Sequence, residues 1–85
     1  MKNKIEATNA KLKELRETRG LSQSQLAAAA GIGTRVLQNY EQGVRDLNGA
    51  KLATLLKLCN ALECKLADII TDEETREQLK EYNDR

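Results

Sequence analysis

Apolar and polar positions recur with a helical period along most of the chain. Between Ala10 and Arg19, Leu12 and Leu15 share one face and charged residues fill the others. Thr8 or Asn9 is a candidate cap for this first helix, and Gly20 is its natural stop. Ile5 is the large apolar anchor of the residues before it. Ser22 with Gln25 three residues on reads as a capping box, and Leu21 with Leu26 as a hydrophobic staple. The second helix then runs through Ala27, Ala28, Ala29 and Ala30, whose small side chains let another helix approach, to Gly31. From Gly33 to Gln42, Val36, Leu37 and Tyr40 form an inward stripe. Thr34, Arg35, Gln38 and Asn39 fall largely on the opposite side, and Gly43 closes this third helix. A fourth helix is expected from about Gly49 to Leu62. Asn48 is its cap, and Leu52, Leu55, Leu56, Cys59 and Leu62 are its stripe. Lys65 to Ile70 makes a short fifth helix. Thr71 and Glu74 offer a capping box for a sixth, over residues 72–82.

The stretch LSQSQLAAAAGIGTRVLQNYEQG places two glycines, one residue apart, between helical segments. A phosphate-cradling loop would need a preceding strand and more glycines, and the pattern has neither. The glycines therefore read as geometry: one helix ends at Gly31, Ile32 turns inward, and the next begins near Gly33. That is a helix–turn–helix.

Composition agrees with an all-α chain. Proline, histidine, phenylalanine and tryptophan are absent from its 85 residues. The core must come from Leu, Ile, Val, Ala and two tyrosines, in one domain. No apolar run is long enough to span a bilayer, and Lys2 and Lys4 precede no signal-peptide core, so a cytoplasmic protein without membrane attachment is expected. Cys59 and Cys64 would supply only half of a tetrahedral zinc site, and with no histidine they read as free, buried or half-buried thiols. Neither a metal nor another cofactor is expected. The carboxylates are spread along charged helix faces, which argues against an enzyme.

Charge adds an asymmetry to this picture. Residues 1–45 carry eight basic and four acidic side chains, giving +4; residues 46–85 carry six and nine, giving −3. A basic half suits an anionic partner, with the acidic half facing away.

From Leu12 to Ile70 the chain resembles the small helix–turn–helix domain of phage Cro and CI repressors and of the xenobiotic-response-element regulators. The blocks that carry the resemblance are LKELRETRGLSQSQLA, GIGTRVLQNYEQG and LATLLKLCNALECKLADII. It implies a five-helix repressor-like fold over residues 1–70, with residues 71–85 as an acidic C-terminal tail able to form a short sixth helix. Three positions depart from the family pattern. The proline common after the glycine of helix three is replaced within VRDLNGA, Glu63 stands where glycine is frequent, and Gly33 where Ser or Thr is more frequent.

The resemblance implies sequence-specific binding of a double-stranded DNA operator, as a homodimer, by a transcriptional regulator that represses by occlusion. Thr34, Arg35, Gln38 and Asn39 occupy base-reading positions, where Arg35 suits guanine and Asn39 adenine. Gln23, Gln42 and Arg45 occupy phosphate-contacting positions. Arg19 and Lys13 add diffuse positive potential. Arg16 and Glu41 match a structural ion pair between helix one and the end of helix three, in which Arg16 could also lie near a phosphate. Leu26, Ala27, Leu37, Tyr40, Leu52 and Leu55 read as core. The dimer contact is expected in the acidic half, through Leu66, Ile69, Ile70, Leu79 and Tyr82. The alternative is an antitoxin-like module whose segment TDEETREQLKEYNDR neutralises a protein partner, in an operon that the module also regulates.

Overall fold

The structure, a computed structural model, describes residues 4–85, with side chains from residue 10 onward. Six α-helices follow one another: α1 Lys4–Thr18, α2 Gln23–Ala30, α3 Thr34–Glu41, α4 Leu52–Leu62, α5 Leu66–Ile69 and α6 Glu73–Asn83. One turn of 3-10 helix, Leu47–Gly49, joins α3 to α4, and no strand occurs among the described residues. The fold is all-α. The expected anchoring by Ile5 lies outside the described side chains.

Helix α1 begins at Lys4, so Thr8 and Asn9 are interior residues and not caps. No glycine or proline interrupts KIEATNAKLKELRET, and the helix continues through both. Leu12 is fully buried and Leu15 packs beside it. Helix α2 starts as its sequence dictates. Ser22 Oγ accepts from the Gln25 amide at 3.1 Å, and Gln25 Oε1 accepts from the Ser22 amide at 2.8 Å. Only Ala27 and Ala30 of the alanine run are buried; Ala28 and Ala29 face outward.

The corner between α2 and α3 is a Schellman turn. Gly31 takes φ 69°, its amide bonds the Ala28 carbonyl at 3.2 Å, and the Ile32 amide reaches the Ala27 carbonyl at 3.0 Å. A side chain at Gly31 would meet open space, so the glycine answers to backbone conformation and not to crowding. Ile32 then packs on the core. Gly33 caps α3 through its backbone alone, one residue earlier than the first helical position, Thr34.

Helices α2 and α4 pack together, α2 and α1 both pack on α3, and α5 closes the bundle against α1 and α4. Leu12, Leu26, Leu37, Leu47, Leu58, Leu62 and Ile69 are the largest fully buried side chains among the described residues. Two assignments on α4 are corrected. The helix starts at Leu52 after Lys51, because the 3-10 turn, capped by the Asp46 side chain, occupies residues 47–49. The buried stripe is Leu55, Leu58, Cys59 and Leu62, whereas Leu52 and Leu56 are exposed. Neighbouring helices cover only one of the two leucine faces that LATLLKLC offers.

Asn48 also has a different task from capping α4. Its Oδ1 accepts from the amides of Thr71 and Asp72, at 3.0 and 3.2 Å, and its Nδ2 bonds Thr71 Oγ1 at 3.1 Å. It thereby holds the corner between α5 and α6 against the segment that follows α3. With Thr71 so engaged, the α6 cap is Asp72, whose carboxylate accepts from the Thr75 amide at 3.0 Å. Arg76 ties α6 back by donating to the carbonyls of Ala67 and Ile70.

Candidate nucleic-acid interface

The amphipathic pattern of α3 sets the site. Leu37 and Tyr40 are buried, and Val36 packs at the edge of the core. That leaves Arg35 exposed and Thr34, Gln38 and Asn39 half-buried on the remaining surface. Just beyond the helix, Gln42 and Arg45 are exposed. The Asn39 carbonyl accepts from the amides of both Val44 and Arg45, at 2.9 and 3.2 Å. These two hydrogen bonds to the last turn of α3 fix the position of Arg45 just beyond the helix. Arg35 and Arg45 form no ion pair with the described residues, so both guanidinium groups are available to an anionic partner.

The orientation of α3 is held by a buried ion pair. Arg16 Nε donates to Glu41 Oε2 at 2.8 Å, and Nη2 to Oε1 at 3.0 Å. The remaining guanidinium nitrogen, Nη1, donates to the Leu21 carbonyl at 2.8 Å. The Glu41 side chain is 3% exposed and that of Arg16 10%. All three nitrogens of Arg16 are therefore engaged inside the protein, and the guanidinium is not placed to meet a phosphate as well. Its hydrogen bond to Glu41 raises the Arg16 pKa; burial opposes this shift, and the charge of Glu41 adds to it. The pair links α1 to the last residue of α3, a planar fork on a carboxylate.

Gln23, the first residue of α2, extends this link. Its Nε2 donates to Glu41 Oε1 at 3.1 Å, and its Oε1 accepts from Gln38 Nε2 at 3.4 Å. The structure thus brings together Gln23, Gln38, Glu41 and Arg16. Thr34, Arg35, Gln42 and Arg45 stand apart from that network. Residue separations of 15 and 18 hide the two Gln23 bonds from the sequence; the available signal was that Gln38 and Glu41 lie three apart on α3 and so share a face. Arg19 is partly neutralised, since it bonds Glu63 through both terminal nitrogens.

Of the apolar residues assigned to a dimer contact, Ile69 and Ile70 belong to the monomer core. Helix α5 is only one turn long, and it closes the bundle by turning those side chains inward. Leu66 and Leu79 are half-buried, and Tyr82 is 70% exposed. Leu52, Leu55, Leu66, Ile70, Leu79 and Tyr82 line an open groove of about 280 Å³ between α4 and α6. No group of three potential metal ligands occurs among the described residues, and none of their helices is long and apolar enough to cross a membrane.

A family model described as helix-turn-helix matches residues 12–69. The chain is 32% identical over 74 residues to the cryptic phage CTXphi transcriptional repressor RstR of Vibrio cholerae, covering 85% of this chain and 64% of that protein. It thus spans somewhat less than two thirds of that relative's length. Among solved structures, it resembles the restriction-modification controller protein C.AhdI from Aeromonas hydrophila. The TM-score is 0.70 and the identity 30%, over 78% of this chain and 96% of that one. A helix-turn-helix transcriptional regulator from Vibrio cholerae matches with a TM-score of 0.69 and 26% identity, over 85% of this chain and 39% of the other.

Proposed function

Because the chain belongs to the helix-turn-helix family of Cro/CI-type DNA-binding transcriptional regulators, a family of regulators and not of enzymes, we propose that it represses transcription by occupying an operator as a homodimer. The observation that carries this reading is the outward surface of α3. It presents Arg35 unpaired, continues into Arg45 held on the helix end, and is braced from behind by the Arg16–Glu41 pair. A rigid helix with a free guanidinium on its exposed side suits insertion into a major groove.

In this reading Thr34, Arg35, Gln38 and Asn39 face base edges, and Gln23, Gln42 and Arg45 contact phosphates. The +4 half of the sequence faces the duplex. A molecule of 35 × 31 × 22 Å matches one turn of DNA, roughly 34–36 Å, so two copies on successive major grooves would lie side by side and block polymerase. Residues 1–70 would carry DNA binding, and residues 71–85 would contribute to the partner contact. The related repressor from Vibrio cholerae supports the direction of regulation. Neutralisation of a protein toxin by α6 is disfavoured, because that helix offers only Leu79 and Tyr82 as large apolar side chains.

Selection from random duplexes tests the proposal. A folded protein that enriches a two-fold symmetric site, with half-sites about one turn apart, is the expected result. Arg35→Ala should then lose roughly 1–3 kcal/mol of discrimination at one base pair. Arg45→Ala should weaken all sites alike. Failure to enrich any duplex would overturn the reading.

A further inference from the structure

The turn that ends α4 sets the two cysteines of the chain against each other. It is also a Schellman turn. The Glu63 amide bonds the Asn60 carbonyl at 3.4 Å and the Cys64 amide bonds the Cys59 carbonyl at 3.0 Å, with Glu63 at φ 54°. Such a turn brings the side chains of its first and last residues together, and an apolar pair commonly fills that place. Here both residues carry free thiols. Standard backbone dimensions and the 3.0 Å bond keep the two Cα atoms less than about 7 Å apart, within the reach of a disulfide. The Cys59 thiol donates a hydrogen bond to the Cys64 sulfur. Cys59 is 4% exposed and Cys64 half-buried, and both line an open groove of about 570 Å³ with Leu66 and Leu79. No group of three potential metal ligands includes them among the described residues, so the pair supports sulfur chemistry and not a closed metal centre.

We propose that Cys59 and Cys64 form a thiol–disulfide switch at the corner between α4 and α5, closed by a low-molecular-weight disulfide such as oxidised glutathione and reopened by the corresponding thiol. Cys64 is the attacking sulfur, because it is the more exposed and receives the hydrogen bond; Cys59 is the resolving one. In the first step the Cys64 thiolate attacks one glutathione sulfur, the glutathione S–S bond breaks, and one glutathione thiolate leaves. In the second, the Cys59 thiolate attacks the Cys64 sulfur of the mixed disulfide and expels the other. The two cysteine protons end on the two released thiols, so the cysteine pair is oxidised as glutathione is reduced. Burial raises the Cys59 thiol to about 12. Burial also raises Cys64, while the hydrogen bond with Cys59 lowers it, Asp68 raises it, and Arg19 and Lys11 lower it. Raised thiols leave poorly, which favours the closed form once made, and their low thiolate fraction makes closure slow at neutral pH. Closure ties the last turn of α4 to the residue that leads into α5, the helix that closes the bundle against α1 and α4. Oxidation therefore strengthens that corner, whatever the protein binds.

The test equilibrates the full chain without oxygen in mixtures of oxidised and reduced glutathione at slightly alkaline pH. The reaction is quenched with acid, free thiols are alkylated, and the intact mass is read. In the oxidised buffer, wild type should be a single chain with neither cysteine alkylated and no glutathione retained. In the reduced buffer both cysteines should be alkylated. Cys59→Ala should hold one glutathione, on Cys64. Cys64→Ala should react roughly tenfold more slowly than Cys59→Ala, because its remaining thiol is buried. Oxidised wild type should melt roughly 5–15 °C above the reduced form and return to the lower value after dithiothreitol. Wild type that stays fully alkylated in the oxidised buffer, keeps glutathione on Cys64, or cross-links to a second chain would reject the internal pair. A disulfide that leaves the melting temperature unchanged or lowers it would reject the strengthened corner. Equal rates for the two variants would reject Cys64 as the attacking sulfur. The wild-type results hold whether or not either variant folds.

Discussion

Arg19 clamps Glu63: its Nη1 donates to the carboxylate at 3.2 Å and its Nη2 to the backbone carbonyl at 3.1 Å. Glu63 is the non-glycine residue that the described backbone holds at positive φ, 54°, where it ends α4 in a left-handed turn. The same turn ends α1, α2 and α3 with Gly20, Gly31 and Gly43. A side chain in that conformation costs about 1–2 kcal/mol, and an exposed ion pair returns roughly 0.2–1 kcal/mol. Glu63→Gly should therefore stabilise the protein, by about 0.5–1 kcal/mol in urea melts. Arg19→Ala should destabilise it by less than about 1 kcal/mol. Destabilisation by Glu63→Gly would show that the clamp outweighs the strain.

The Arg16–Glu41 pair should behave asymmetrically. Replacing Arg16 by Met leaves a nearly fully buried carboxylate without its cation, which should cost about 3–5 kcal/mol. Replacing Glu41 by Met in addition should recover much of that loss, because two apolar side chains need no partner. Thermal melts of the two single variants and the double variant complete a cycle. A double variant as unstable as the sum of the singles would mean that the two groups are uncoupled.

Leu37 is fully buried and Ala27 is 1% exposed, on neighbouring helices. Leu37→Ala should open a cavity and cost roughly 2–5 kcal/mol. Ala27→Leu should overpack α2 within the bundle and cost roughly 1–3 kcal/mol. Both should weaken DNA binding in proportion to the fraction unfolded. Denaturant midpoints check this, and unchanged values would place the two side chains outside the core.

The α4 terminus also carries a pH signature. Burial, and then the neighbouring Cys64, push the Cys59 thiol from 9.0 up to about 12. Burial likewise raises Cys64, although its hydrogen bond with Cys59 pulls the other way. Between pH 9 and 12 the unfolded chain releases the Cys59 proton while the native state keeps it. The native state then binds more protons, so stability falls as pH rises through that window. The contribution is complete below pH 9, and its loss is at most about 1.4 kcal/mol per pH unit. Melts of wild type and Cys59→Ala from pH 7 to 11 should diverge above pH 9, with the variant flatter. At pH 8 a thiol reagent should label Cys64 before Cys59, which is buried.

The helices and the turn between α2 and α3 were legible because each rests on local chemistry: Ser22 with Gln25 at one end, Gly31 at the other, and Leu37 with Tyr40 on one stripe. Glu63 gave no such signal, since a glutamate does not mark a left-handed position. The α4 face was ambiguous for another reason. Leucines at 52, 55, 56, 58 and 62 supply two overlapping stripes, and only the placement of α2 and α5 selects Leu55, Leu58 and Leu62. Asn48 looked like a cap because it precedes a helical run, but its partners lie 23 and 24 residues away. At the candidate interface, exposure of Arg35 followed from its place opposite Leu37 and Tyr40. The engagement of Gln23 by Glu41 needed the approach of two helices that no local pattern specifies.

The burial of Ile69 and Ile70 moves the expected dimer contact to the face between α4 and α6. Leu52 is 60% exposed, Leu56 43% and Tyr82 70%, and Leu52 and Tyr82 both line the groove that also contains Leu66 and Leu79. This surface belongs to the −3 half of the sequence, away from the +4 half proposed to meet phosphate. Its exposed side chains can be changed without opening the core. Ile69→Lys, by contrast, would bury a charge and unfold the protein. Leu52→Lys and Tyr82→Ala should each shift stability by no more than about 0.5 kcal/mol. Each should also reduce cooperativity on a two-half-site operator, where neighbouring subunits gain from effective concentration. Removal of residues 72–85 should do the same. Sedimentation with and without operator at saturating protein reads the stoichiometry, and operator titrations below saturation read the cooperativity. One protein per operator would reject the dimer. Two per operator, with cooperativity unchanged in all three variants, would retain the dimer and exclude this face.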